Sequence, residues 1–212
     1  MRAVMCSRDD DPTGRDRPRV LVACEFSGIV RDAFRAIGCD AMSVDLLPSE
    51  RPGPHIVGDA TPLLRERWDL VIAHPPCTYL ALSGVRWLMF GNGVVRDWDR
   101  WERMLDAADF FRACLAANAP RVAVENPIAH GRARLPKASQ YVQPWQFGHG
   151  EIKATGLWLR GLPKLTPTEI VDGRVPRVHH MAPGPERWRE RSRTFPGIAA
   201  AMAAQWGPLL FE

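Results

Sequence analysis

The amino-acid sequence predicts an α/β fold built on a mostly parallel sheet flanked by helices. Three observations predict it. Short, continuous apolar runs recur along the chain, helix-patterned stretches separate them, and each run ends in a polar residue or beside a proline. Continuous apolar runs mark strands buried on both faces, the condition of a parallel sheet between helical layers.

Each element follows in order. Residues 19–24, RVLVAC, read as the first buried strand. SGIVRDAFRAIG follows it, with Ile29, Ala33, Phe34 and Ile37 at helical spacing and Gly38 at its end. AMSVDLLPSE is a second strand that ends at Asp45 before a proline-broken loop, and HIVGDATPL is a short third strand ending near Asp59. DLVIAHPPC is the fourth. The stretch from Trp98 to Asn118 is broadly helical, and RVAVENP is the fifth strand. Beyond Ile128 only TGLWLRG reads as a strand, residues 170–190 as a polar, proline-rich loop or small excursion. TFPGIAAAMAAQWG is a closing helix, with Pro196 in its first turn and Gly207 past its end.

Composition narrows the function classes. The 212 residues, 46% hydrophobic and 25% charged, match a globular chain rather than a disordered one. No apolar run approaches the roughly 18 residues of a membrane span. The start, MRAVMCSRDDDPTGRDRPR, is charge-dense and lacks the apolar core of a signal peptide, so residues 1–18 read as a flexible leader on a cytoplasmic protein. Five cysteines, at 6, 24, 39, 77 and 114, form no CxxC pair, and His179-His180 has no partner at metal spacing. Neither a disulfide framework nor a metal site is expected. Residues 1–120 hold 15 Lys/Arg against 17 Asp/Glu, residues 121–193 hold 13 against 6, and Glu212 adds one acid. The basic second half suits contact with phosphate, or is an ordinary Arg-rich surface.

Polar residues at strand ends carry the chemistry. Cys24-Glu25-Phe26, Asp45, Asp59, Pro75-Pro76-Cys77 and Glu125-Asn126-Pro127 all fall on the carboxyl edge, where open α/β sheets bind ligands. Asp45 sits where a nucleotide-binding sheet carries its ribose-binding acid. The first turn, Phe26-Ser27-Gly28, opens onto a helix N-terminus that favours an anion. It is not GxGxxG, so a dinucleotide is not specifically indicated. Cys77 follows two prolines that stiffen its turn, and a thiol needs activation to act as a nucleophile. Glu125 ends an apolar run, where burial raises a carboxyl pKa and lets it donate a proton to a ring nitrogen. The bland alternative pairs it with Arg86 or Arg121.

HPPC after the fourth strand and ENP after the fifth resemble the cytosine-C5 methyltransferases, which carry a Pro-Cys nucleophile and a Glu-Asn motif at those places. FSGIVRDAFRAIG is similar to that family's first cofactor motif. QPWQFGHGEIKATGLWLRGLPKLTPT and RSRTFPGIAAAMAAQWG resemble the compact DNA methylases often found in bacteriophages. The resemblance covers residues 19–208. It implies a Rossmann-like class I fold in a single domain over 19–212, with a reduced basic region at about 128–193, and S-adenosyl-L-methionine as cofactor. Phe26, Ser27, Gly28, Asp45, Leu46, Asp59, Ala60 and Pro75 would border that cofactor, Asp45 on its ribose and Asp59 near its adenine. Cys77 would attack C6 of cytosine, and Glu125 would hold N3 and the exocyclic amine. Pro76, Asn126, Lys153 and Thr155 would line the substrate.

Two departures stand out. The family's Gln-x-Arg-x-Arg motif is not evident, and Lys153 and Thr155 are the nearest candidates. A target-recognition domain is also missing, since about thirty residues separate TGLWLRG from RSRTFPG. Either the protein reads little DNA sequence, or it borrows recognition from a partner, a second copy included. The other option is a free cytidine nucleotide, with Arg191 and Arg193 as phosphate clamps. An exocyclic-amino methyltransferase, which uses an Asp/Asn/Ser-Pro-Pro-aromatic motif, and a non-catalytic cofactor-binding subunit are the lesser alternatives.

Overall fold

A computed structural model describes residues 17–182, 184 and 186–212. Residues 1–16 of the expected leader, Cys6 among them, lie outside the described residues, as does the side chain of His179. Seven strands form one sheet: β1 (Arg19–Ala23), β2 (Asp40–Asp45), β3 (His55–Val57), β4 (Leu70–Ala73), β5 (Arg121–Pro127), β6 (Gln140–Val142) and β7 (Thr155–Arg160). Their order is β3-β2-β1-β4-β5-β7-β6. The first five run parallel, and β7 runs antiparallel to both β5 and β6. The helices are α1 (Ile29–Ala36), α2 (Val85–Leu88), α3 (Trp98–Leu115), α4 (Arg177–His180), α5 (Arg187–Ser192) and α6 (Pro196–Trp206). This is the Rossmann-like α/β class that the sequence predicts.

Alternation along the strands divides the core. Leu21, Ala23, Val71, Ala73, Val122 and Val124 face α3, which packs Met104, Ala108, Phe111 and Cys114 on them. Val20, Val22, Leu70, Ile72 and Ala123 face the other way, onto Val30 and Phe34 of α1 and onto α6 from Ile198 to Trp206. Helices on both faces explain why the central strands are apolar on both sides through their middles. The strand order reverses between β1 and β4. A crevice opens at such a switch point, beyond the carboxyl ends of the strands.

The elements differ from expectation in four places. β1 stops at Ala23, because Cys24 turns into the left-handed region at φ 58. On α1 the fully buried residues are Val30, Arg31 and Phe34, while Ile37 is exposed. An arginine thus occupies the inner face of the helix. β6 was not expected, and residues 170–190 carry the short α4 and the start of α5 rather than a plain loop.

Candidate functional site

The first turn is built around two charged side chains. Oε1 of the buried Glu25 accepts the Val30 N–H at 2.6 Å, and Oε2 accepts the Arg31 N–H at 3.2 Å. Ser27 Oγ donates to Glu25 Oε1 at 3.2 Å. The free amides at the start of α1, expected to favour an anion, are therefore occupied by the chain's own acid. Arg31 is wholly buried. It donates to Asp32 Oδ1, Ser49 Oγ and the carbonyls of Arg51 and Pro52, and so holds the loop after β2 against α1. Gly28, at φ 70, lies where an added Cβ would stand 2.5 Å from the Arg31 guanidinium. Its lack of a side chain serves that packing.

The acids of β2 and β3 are placed differently. Asp45 is half-buried at the end of β2, accepts the Leu47 N–H at 3.0 Å, and burial pushes its carboxyl above the usual range. Asp59 lies two residues past β3, is exposed, and binds the N–H and hydroxyl of Thr61 with one oxygen. Those bonds hold its carboxyl below the usual range. Leu46 is exposed, whereas Ala60 packs into the core behind the loop.

The proline turn after β4 is tied to β5. Pro75 is buried, and its carbonyl accepts from Nδ2 of the fully buried Asn126 at 2.9 Å. Asn126 therefore fixes the turn that carries Cys77. Pro76 is exposed. The Cys77 carbonyl accepts the N–H groups of Leu80 and Ala81. Burial pushes the Cys77 thiol up, Glu125 pushes it further, and Lys153 and Arg191 oppose both. Burial also pushes Cys39 and Cys114 up, to about 11 and about 12, as expected of inert thiols in apolar surroundings.

Glu125 departs from its expected state. Burial alone would raise its carboxyl, but the hydrogen bond from His74, the charge of Lys153 and the Thr155 hydroxyl together hold it below the usual range. Its partner is His74, with Nδ1 3.2 Å from Oε2, rather than Arg86 or Arg121. An acceptor-only carboxylate takes the place of the expected proton donor.

Two adjoining clefts result. The first lies over β1 and β4 and is lined by Cys24, Glu25, Phe26, Ser27, His74, Ser192 and Thr194. The second, over β5 and β7, gathers Glu125 with Lys153, Thr155, Arg193 and Phe195. The chain from α5 to Phe195 crosses both. Arg193 grips Glu50 with two bonds, at 2.8 and 2.7 Å, and also binds Glu190. Its guanidinium is thus committed to carboxylates and is not the free phosphate clamp expected. Lys153 Nζ donates to the Arg191 carbonyl at 2.7 Å, and the Trp188 ring tilts against Phe26 at 5.9 Å.

Sequence reasoning placed Glu25 on the edge without a role, and missed Arg31, Glu50 and the pairing of His74. Glu25 left one usable signal, an acid just ahead of a Ser-Gly turn that opens a helix. The other three depend on partners up to 143 residues away, for which no local pattern exists.

No family model matches the chain, and no curated protein matches it. Among solved structures it is similar to a prophage-encoded protein of E. coli described as a DNA modification methyltransferase. The identity is 15% over 78% of this chain and 55% of that one, with a TM-score of 0.46. It is also similar to the Entamoeba histolytica methyltransferase EhMeth, at 12% identity over 74% of this chain and 58% of that one, with a TM-score of 0.43. The chain thus spans little more than half the length of either.

Proposed function

We propose that the chain is a methyltransferase that uses S-adenosyl-L-methionine to methylate C5 of cytosine in DNA through a covalent Cys77 adduct. The observation that carries this reading is electrostatic. Cys77 lies in the turn after β4 and Glu125 on the neighbouring β5, and the charge of Glu125 helps to hold the Cys77 thiol up while its own carboxyl is held down.

The cleft over β1 and β4 fits a cationic cofactor. Glu25 takes the amides that would otherwise bind phosphate, and with Asp45 it makes that edge acidic. Glu25, Phe26, Ser27, Asp45 and His74 would hold the cofactor there. When bound, it supplies a methyl group on a sulfonium.

The protein's part is to make C5 nucleophilic. Sγ of Cys77 bonds to C6, its proton passes to Glu125 and from there to N3, and the ring electrons move to C5. The same charge pair that keeps the thiol protonated at rest supplies the base. Lys153 and Arg191 then stabilise the sulfur as its charge develops. C5 gains the methyl group and loses its proton to solvent, and Sγ leaves C6 as the N3 proton returns to it through Glu125, which restores the ring and the thiol.

A polynucleotide substrate is favoured by a surface on the segment that follows the Cys77 turn. Trp87, Phe90 and Trp98 are exposed, and Arg86 and Arg96 lie over the Trp87 ring at 5.0 and 5.5 Å. Exposed rings interleaved with arginines suit bases and phosphates together. The test offers labelled S-adenosyl-L-methionine with duplex DNA or with dCMP, to wild type and Cys77→Ala. Label in DNA cytosine from wild type alone is expected. Label in dCMP alone would overturn the substrate, and equal labelling by Cys77→Ala would overturn the chemistry.

A further inference from the structure

His74 spans the wall between the two clefts. One ring nitrogen, Nδ1, lies 3.2 Å from Glu125 Oε2 in the cleft over β5. The other, Nε2, is buried with no hydrogen-bond partner among the described residues, on a side chain only 7% exposed, and the residue lines the cleft over β1. A buried polar atom left unpaired is costly and calls for a partner beyond those described residues. An ionised Glu125 accepts only, so Nδ1 must carry the proton in that bond. In the neutral ring Nε2 is then an acceptor. It needs a donor, and the acid of Glu25 on the same cleft favours a positive one.

Resting on the methyl-donor reading above, we infer that His74 is a positioning residue. Its Nε2 accepts a hydrogen bond from the α-ammonium group of the bound donor, while its Nδ1 holds Glu125 toward the base. The charged groups around it are Glu125 and Lys153 on the β5–β7 side, Glu25 after β1 and Asp45 after β2. Occupying the donor cleft orders the ring, and the ring orders the carboxylate. Loading of the donor and gripping of the cytosine are thereby linked through one side chain.

The test compares S-adenosyl-L-homocysteine with the same molecule lacking its α-amino group, by calorimetry on the full chain. Wild type should prefer the complete molecule by about tenfold or more, the value of one charged hydrogen bond. His74→Phe and His74→Asn should lose most of that preference. On wild type labelled with ¹⁵N-histidine, the His74 Nε2 resonance should move with the complete molecule and stay with the deaminated one. That readout does not depend on any variant folding. An undiminished preference in both variants, or a still resonance, overturns the role of His74 and leaves the donor reading standing. Failure of wild type to bind either molecule overturns both.

Discussion

The two clefts lie side by side on one sheet edge, yet they are built differently. The one over β1 and β4 rests on buried or part-buried bonds that span no more than 21 residues: Glu25 to Val30 and Arg31, then Arg31 to the loop at Ser49 to Pro52. The one over β5 and β7 is covered by Ser192 to Phe195, of which Ser192 and Thr194 also reach the first cleft. That segment is fastened by ion pairs to Glu50 that reach across 143 residues and stay partly exposed. Burial makes the first rigid at a high desolvation cost. Exposure makes the second cheap to open. The proposed reaction, which admits a polymer while keeping its cofactor, would use that division.

The largest effect should come from breaking the buried half. Arg31→Met leaves Asp32 without its buried partner and strips the loop carbonyls of their donor. Urea denaturation should show a loss of about 3 kcal/mol or more. Breaking the exposed half should cost far less. Glu50→Ala frees Arg189 and Arg193 and should lower stability by at most about 1 kcal/mol, while KM for DNA rises several-fold and proteolysis quickens between residues 186 and 195. Acid should have the same effect. Arg193 holds the Glu50 carboxyl below the usual range, so the clamp's contribution is full above the unfolded carboxylate pKa and is lost as pH falls through the lowered one. Proteolysis of this segment measured from pH 7 down to pH 3 follows it.

These contrasts also explain how much the sequence disclosed. β1, β2, β4, β5 and β7 were legible because both their faces are buried and each reads as an apolar run. α6 was legible because Pro196 and Gly207 bracket it. The carboxyl edge was legible from the polar residues that end the strands, Cys77 and Glu125 among them, whereas the strand order was not. β6 was not legible, since it is three residues long and two of them, Gln140 and Tyr141, are not buried. Ile37 was expected inside and Arg31 outside. The reverse holds because five polar partners neutralise the desolvation of a guanidinium, and no periodicity reports partners. Glu125 was expected to be a proton donor on burial alone, and a histidine 51 residues away changes the sign.

Smaller effects sharpen the comparison. The Cys77 thiol is held up by burial and by Glu125, so its alkylation by iodoacetamide should keep accelerating above the ordinary thiol range. Glu125→Gln removes the raising charge and should move that profile to lower pH. Lys153→Met should move it higher. Asp59→Ala, which touches only an exposed turn, should change stability by less than about 0.5 kcal/mol and leave the alkylation profile where it was.

The central claim is that Cys77 bonds to C6 of a cytosine before the methyl group arrives. A duplex carrying 5-fluorocytosine, incubated with the protein and S-adenosyl-L-methionine, tests it most directly. Fluorine at C5 cannot depart as a proton does, so the final elimination stops and the adduct persists. The account predicts a denaturant-stable protein–DNA complex, carrying one added methyl group and mapped to Cys77 by mass spectrometry, that Cys77→Ala does not form. Methylated DNA with no such complex, or label transferred equally by Cys77→Ala, would contradict it.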